Sequence, residues 1–252
     1  MVATTLLSTS VDSLSTTNRK PIAGFLFDID GTLIDSDPIH QRVFQELLLK
    51  EEGFNDNKPI DETFFRANIA GRQNALIMAD FFPSWSIEKR EQWSVDKEAY
   101  FRQLAAEEMM KLKMKGLDKL KTWIEERNLP RAAVTNAPRL NAEAMIGGID
   151  YASFFQTLVI GDECERAKPD PCPYLTACKN LNISSSDSTY AAEGCIVFED
   201  SPSGAKAGVA AGATVIGILS GQEESTLMDA GCLFVIKSFE DIKLWDYLDC
   251  RV

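Results

Sequence analysis

From Pro21 onward, short apolar runs rich in β-forming residues recur along the chain. They fall at Ile22–Ile29, Ala132–Thr135, Leu158–Ile160, Ile196–Phe198, Thr214–Ile218 and Leu233–Ile236. Their length and composition predict strands. Between most of them apolar residues return at three- and four-residue spacing, as in Leu117, Leu120 and Ile124, then Tyr174, Leu175 and Cys178. That spacing predicts helices. Strand–helix alternation of this kind predicts an α/β fold with a parallel sheet covered on both faces.

The alternation lapses from Asp37 to Lys115. Ile39, Val43, Phe44, Leu47 and Leu48 form one helical stripe, Leu76, Ile77 and Phe81 a second, and the charged run Ile87–Met110 a third. A helical block of this length exceeds any ordinary β–α connection, so the pattern predicts a separate helical lobe inserted after the first strand. Ser184–Asp187 and Gly147–Gly148 read as loops. The stretch Ser184–Cys195, before the last acidic strand, has no functional reading, and no internal repeat is evident.

Composition narrows the class. A chain of 252 residues, 45% hydrophobic and 25% charged, buries a core without disulfide or metal staples. With 38 acidic against 26 basic residues and a net charge of −12, a general nucleic-acid binder is disfavoured. The six cysteines (Cys164, Cys172, Cys178, Cys195, Cys232 and Cys250) form no Cys-x-x-Cys pair and read as reduced core residues. His40 is the sole histidine, which excludes a His-rich zinc site and leaves a Ser-His-Asp triad one possible base. No apolar run approaches the ~18 residues of a membrane span, so a cytoplasmic protein is expected. Residues 1–20, rich in Ser and Thr, read as a flexible tail, with an organellar transit peptide as the alternative.

The candidate chemistry lies at strand ends. In Phe25–Leu33 a hydrophobic strand runs into Asp28 and Asp30, then Gly31 and Thr32. Residues two apart on a strand face the same way, so both carboxylates are expected to project together at the end where open α/β sheets bind ligands. Crowded carboxylates call for a cation, and hard oxygen donors suit Mg²⁺. Gly31 would let the backbone turn sharply beside a phosphate. Thr135 and Asn136 follow a second strand, Lys168 stands in a Pro-stiffened loop, and Glu199–Asp200 ends another strand. A helix is expected to start near Pro202, capped by Ser201 or Ser203. Each feature alone has a plain structural explanation as a turn, a helix cap or a surface lysine. Together they supply a metal cage and phosphate neutralisers.

These segments resemble, in order, the four motifs of the haloacid dehalogenase superfamily, over most of the chain from about Pro21 to Trp245. Asp28-x-Asp30-Gly31-Thr32 is similar to the phosphotransferase form of the first motif. Asp35–His40, with Glu199, Asp200, Ser201 and Gly204, looks most like the sugar-phosphatase and β-phosphoglucomutase branch, closest to plant sugar-phosphate phosphatases. The resemblance implies a Rossmann-like doubly wound core over 21–36 and 116–252, with residues 37–115 as a small helical cap.

It also implies roles. Asp28 is the nucleophile that forms an aspartyl-phosphate, and Asp30 the acid and then the base. Mg²⁺ is held by Asp28, the Asp30 backbone carbonyl and Asp200, with Glu199 assisting directly or through water. Thr135 and Lys168 hold phosphate oxygens, with Gly31, Thr32 and Asn136 beside them. His40 and Arg72 match substrate-contacting positions of related caps. Where β-phosphoglucomutases carry cations for a second phosphate, this chain has Ala70 and Asn74. The expected activity is therefore hydrolysis of small sugar or polyol phosphate monoesters by a monomer that binds neither nucleic acid nor membrane. A mutase, a phosphatase of another specificity, such as for phosphoglycolate or glycerol phosphate, and a catalytically silent sugar-phosphate sensor are the alternatives.

Overall fold

The structure, a computed structural model, describes residues 21–183 and 192–251. The tail 1–20 and the loop assigned to Ser184–Asp187 lie outside them. Every expected strand forms: β1 (Gly24–Phe27), β2 (Arg131–Thr135), β3 (Thr157–Ile160), β4 (Cys195–Glu199), β5 (Thr214–Ile218) and β6 (Phe234–Ile236). They make one parallel sheet in the order β3-β2-β1-β4-β5-β6. The chain builds outward from β1 on one side, then crosses back to β4 and builds outward on the other. The carboxyl ends of β1 and β4 therefore flank the point where the winding reverses, which opens a crevice there.

Period-two alternation sorts the strand side chains. Phe25 and Phe27 join Ile196 and Phe198 in the larger core, while Leu26 and Val197 face the other layer. The Phe27 and Phe198 rings stack at 5.1 Å across the β1–β4 pair. The larger face is covered by α5 (Leu117–Glu126), α6 (Arg139–Gly148) and α10 (Ile242–Asp249), which contribute Leu120, Met145 and Leu244. The other is covered by α7 (Cys172–Asn180), α8 (Pro202–Ala210) and α9 (Glu224–Asp229). Gly147 and Gly148, expected in a loop, instead complete α6. At Gly148 a Cβ would come within 2.8 Å of Met109, so the missing side chain serves close helix packing rather than a turn.

Between β1 and β2 lie α1 (Asp37–Leu48), α2 (Glu62–Asn68), α3 (Asn74–Phe81) and α4 (Ile87–Leu112). They share a small core of their own around Phe44, Phe65, Ile77 and Trp93. The two connections to the sheet run side by side: Asp35 N–H donates to Leu112 O at 2.9 Å and Met114 N–H to Leu33 O at 2.8 Å. Among the described residues no helix is long and apolar enough to cross a membrane. The cysteines are all unpaired, with Cys178, Cys195 and Cys232 buried.

Candidate active site

Four charged groups meet at the carboxyl ends of β1 and β4. Asp28 follows β1 directly, and its N–H donates to Phe198 O at 3.0 Å, which fixes it to the sheet. Lys168 reaches in from the loop between β3 and α7. Its ammonium donates to Asp28 Oδ1 at 2.8 Å, Glu199 Oε1 at 2.7 Å and Val134 O at 2.7 Å, so all three hydrogens are used. Glu199 also accepts from Tyr174 OH at 2.6 Å and, on its other oxygen, from the Ser201 hydroxyl at 3.1 Å. Ser201 in turn caps α8, accepting from Gly204 N–H. Glycine is required at 204, because a Cβ there would lie 1.7 Å from Glu199 Oε1.

One ammonium cannot balance this cluster. Burial, helped by Glu199 and Asp30, outweighs Lys168 and pushes the Asp28 carboxyl up to about 8. Burial and then the charges of Asp28 and Glu199 raise Asp200 well above the usual range. Asp28 Oδ2 is buried without a hydrogen-bond partner. Oxygens of Asp28, Glu199 and Asp200 lie within 4.8 Å of one another. Surplus negative charge and an all-oxygen donor set together fit a hard divalent cation. Asp28 and Asp200 are the freer donors. Glu199 accepts from Lys168, Tyr174 and Ser201 at 2.6–3.1 Å, whereas the contacts to Asp200 are long, from Thr32 at 3.5 Å and Ser220 at 3.3 Å. Gly31, at φ +81°, stands where a Cβ would come 2.1 Å from Asp200 Oδ2.

Asp30 lines the same cleft as Asp28, but strand alternation is not what brings it there. The first strand stops at Phe27 rather than Ile29, and the backbone turns, with Thr32 and Leu33 N–H both donating to Ile29 O. Strand alternation therefore does not reach Asp30, whose carboxylate faces the helical insertion. It accepts from the buried Ser36 hydroxyl on one oxygen and meets His40 Nε2 at 2.9 Å on the other. The His40 ring stacks on Phe101 at 4.2 Å, and Lys97 Nζ lies 3.2 Å from His40 Nδ1. Burial works to raise Asp30, but His40 in contact and Lys97 behind it hold the carboxyl below its ordinary value.

The sequence reading missed Ser36, Tyr174 and Lys97. Lys97 carried a signal: it stands in the buried stripe Trp93, Lys97, Phe101, Ala105, Met109, where an apolar residue belongs. Of the residues expected in the site, all but Thr32 and Glu199 line one cleft of about 480 Å³. Thr32 is wholly buried behind it, its hydroxyl 3.5 Å from Asp200 Oδ1, so a direct phosphate contact from that side chain is not what the geometry offers. Thr135 Oγ1 accepts from Ala137 N–H at 3.0 Å. The Asn136 side chain is spent on the backbone of Lys168, donating to its carbonyl at 3.1 Å and accepting from its N–H at 3.2 Å. Arg72 is paired with Asp80 at 2.5 Å and donates to Asn68 O.

A model of the haloacid dehalogenase-like hydrolases matches residues 25–218. The chain belongs to that family. Among curated relatives of this haloacid dehalogenase-like hydrolase is validoxylamine A 7'-phosphate phosphatase of Streptomyces hygroscopicus subsp. limoneus, 28% identical over 88% of this chain and 96% of that one. Hexitol phosphatase A of Escherichia coli is 29% identical over 87% of this chain and 92% of its own. Among solved structures, a HAD hydrolase of family IA, variant 3, from Entamoeba histolytica superposes with a TM-score of 0.73 at 28% identity, covering 90% of this chain and 98% of that one. Both of these curated relatives are phosphatases by name.

Proposed function

We propose that this chain is a Mg²⁺-dependent phosphatase of small sugar or polyol phosphate monoesters that works through an aspartyl-phosphate. The observation that carries the reading is the Asp28 side chain: Oδ1 is held by Lys168, while buried Oδ2 has no partner in the cleft wall. In this reading Oδ2 attacks phosphorus and the bond from phosphorus to the sugar oxygen breaks, while Asp30, ionised at rest between Ser36 and His40, relays to that oxygen the proton that the monoanionic ester brings in. Water then attacks the same phosphorus, gives its proton to Asp30, and the bond to Asp28 breaks. Lys168 stays on the nucleophile's other oxygen throughout. Thr135 and the turn at Gly31 face the phosphoryl oxygens, and Asn136 acts by fixing the backbone of Lys168. Asp28, Asp200 and the Asp30 carbonyl would hold the cation, with Glu199 acting chiefly as the anchor of Lys168. When bound, Mg²⁺ neutralises the charge that builds on the phosphoryl oxygens.

In the same reading residues 37–115 act as a lid over a core of 21–36 and 116–252, shielding the phosphoryl group from bulk water. Hydrolysis is favoured over mutase chemistry because the cations that the insertion brings to the cleft, Arg72 and Lys97, are both in ion pairs, with Asp80 and Glu98. Neither stands free to grip a second phosphate. The test is phosphate release from a panel of sugar and polyol phosphates, with Mg²⁺ or with chelator, beside Asp28→Asn. Release that needs both the cation and Asp28 supports the phosphatase. Isomerisation primed by a sugar bisphosphate, without net release, would replace it with a mutase.

A further inference from the structure

We propose that Glu98 and Asn141 are positioning residues for Asp30, joining the helical insertion to the sheet core so that the acid is aimed at the leaving oxygen. This rests on the assignment of Asp30 as the proton donor. The contacts form a chain along one cleft wall. Asp30 Oδ2 meets His40 Nε2 at 2.9 Å, and His40 Nδ1 meets Lys97 Nζ at 3.2 Å. Lys97 donates to Glu98 Oε1 at 2.9 Å, and Glu98 Oε2 accepts from Asn141 Nδ2 at 2.5 Å. Asn141 then accepts from Arg102 Nη1 at 2.6 Å.

Hydrogen counting gives this chain a direction. An ammonium has only hydrogens to offer, so His40 Nδ1 must present its lone pair and Nε2 must carry the hydrogen that faces Asp30. Lys97 is 3% exposed between the Phe44 and Phe101 rings, and a buried ammonium stays in place only if a counter-ion holds it. Glu98 is that counter-ion. It is fixed from the insertion by Asn74, which donates to it at 2.5 Å, and from the core by Asn141. Asn141 lies in the first turn of α6, is 2% exposed, and has both ends of its amide taken by Glu98 and Arg102, one turn apart on α4. The contact chain thus leaves the core at Asp30, crosses the insertion, and returns to the core at Asn141. Moving the insertion off the core would break it at Asn141 and loosen Lys97, His40 and Asp30 together.

The polarity of the Glu98–Asn141 bond can be reversed without changing shape or net charge. Asn141→Asp removes the donor and sets two carboxylates face to face; Glu98→Gln removes the acceptor charge. The double variant restores a hydrogen bond, because the amide placed at position 98 can donate to the carboxylate placed at position 141 while its carbonyl still accepts from Lys97. Kinetics are compared on a sugar phosphate and on p-nitrophenyl phosphate, whose phenolate leaves without a proton. Each single variant is expected to lose at least about 10-fold more kcat on the sugar phosphate than on the aryl ester, with KM changed less than kcat. The double variant is expected to recover most of that selective loss. Equal losses on both esters, no loss on the sugar phosphate, or a double variant as impaired as the two singles combined would overturn the proposal. Should one single variant not fold, the other compared with the double decides the matter. Wild-type protein that hydrolyses neither ester would instead count against the phosphatase reading.

Discussion

The two walls of the cleft are built differently. On the sheet side, Asp28, Glu199 and Asp200 follow strand ends whose positions are fixed by a ladder of parallel backbone hydrogen bonds, and Lys168 is pinned by three acceptors. On the insertion side, His40, Lys97 and Glu98 come from two helices whose contacts along the cleft are between side chains, with Asn141 and Arg102 at the joint. In the proposed reading the first wall would address the phosphoryl group, common to every substrate, and the second the leaving group, which varies. A backbone ladder would then support the invariant half of the reaction, and side-chain contacts across the insertion the variable half.

The largest expected effect breaks the first wall. Asp28→Asn should abolish phosphate release, by on the order of 10⁴-fold or more, as removal of a nucleophile does. The same variant should stabilise the metal-free protein. A carboxyl raised from 3.8 to about 8 contributes its full stability only below about pH 4 and loses it as the pH climbs through about 8. In chelator, the wild type should therefore lose thermal stability relative to Asp28→Asn between pH 5 and pH 8, by about 3 °C or more. Saturating Mg²⁺ should close the gap. Parallel melting curves across that range in chelator would show that the cluster is not strained by excess charge.

The next effect falls on the second wall. Lys97→Met leaves the part-buried Glu98 without its cation and His40 without its fixed partner. Stability should fall by about 3 kcal/mol in urea unfolding, at the low end for a broken buried pair because Asn74 and Asn141 still donate to Glu98. Turnover of sugar phosphates should drop about 100-fold, and of an aryl phosphate far less, because only the former needs Asp30 as acid. Tyr174→Phe returns to the first wall with a milder effect. Glu199 keeps Lys168 and Ser201, so a loss of about 1 kcal/mol and a few-fold fall in kcat on both kinds of ester are expected. A substrate-selective defect there would blur the division between the walls.

The same division governs how much of the site was legible in the sequence. Strand ends announce themselves: a short apolar run ending in Asp28, Thr135 or Glu199–Asp200 marks both the element and the place where its chemistry emerges. The sheet order, in which β4 returns to lie beside β1, lies in tertiary contacts, yet it is what brings Asp200 to Asp28. Asp30 was placed by strand periodicity, which fails where the strand ends at Phe27 and a turn begins. Lys97 lay within a charged helical run whose buried face cannot be told from sequence until its packing partner is known. Gly147–Gly148 looked like a break because glycine is a poor helix former, but close approach of Met109 outweighs that preference.

Arg72→Ala tests the comparison most finely. The guanidinium lines the cleft, yet it is tied to Asp80 and to Asn68 O, so it stands as part of the α2–α3 loop rather than as a free ligand. Removing it should leave the phosphoryl wall intact, with kcat on p-nitrophenyl phosphate within about two-fold of wild type, since no contact links Arg72 to Asp28 or Lys168. Its effect should appear in the ranking of sugar and polyol phosphates, shifting relative kcat/KM by up to about 10-fold through a loosened α2–α3 loop. Stability should fall by no more than about 1 kcal/mol, because the Asp80 partner is 61% exposed and solvent screens the pair. An unchanged ranking across the panel would remove Arg72 from substrate selection and leave that task to the Asn74, Glu98 and Asn141 side of the wall.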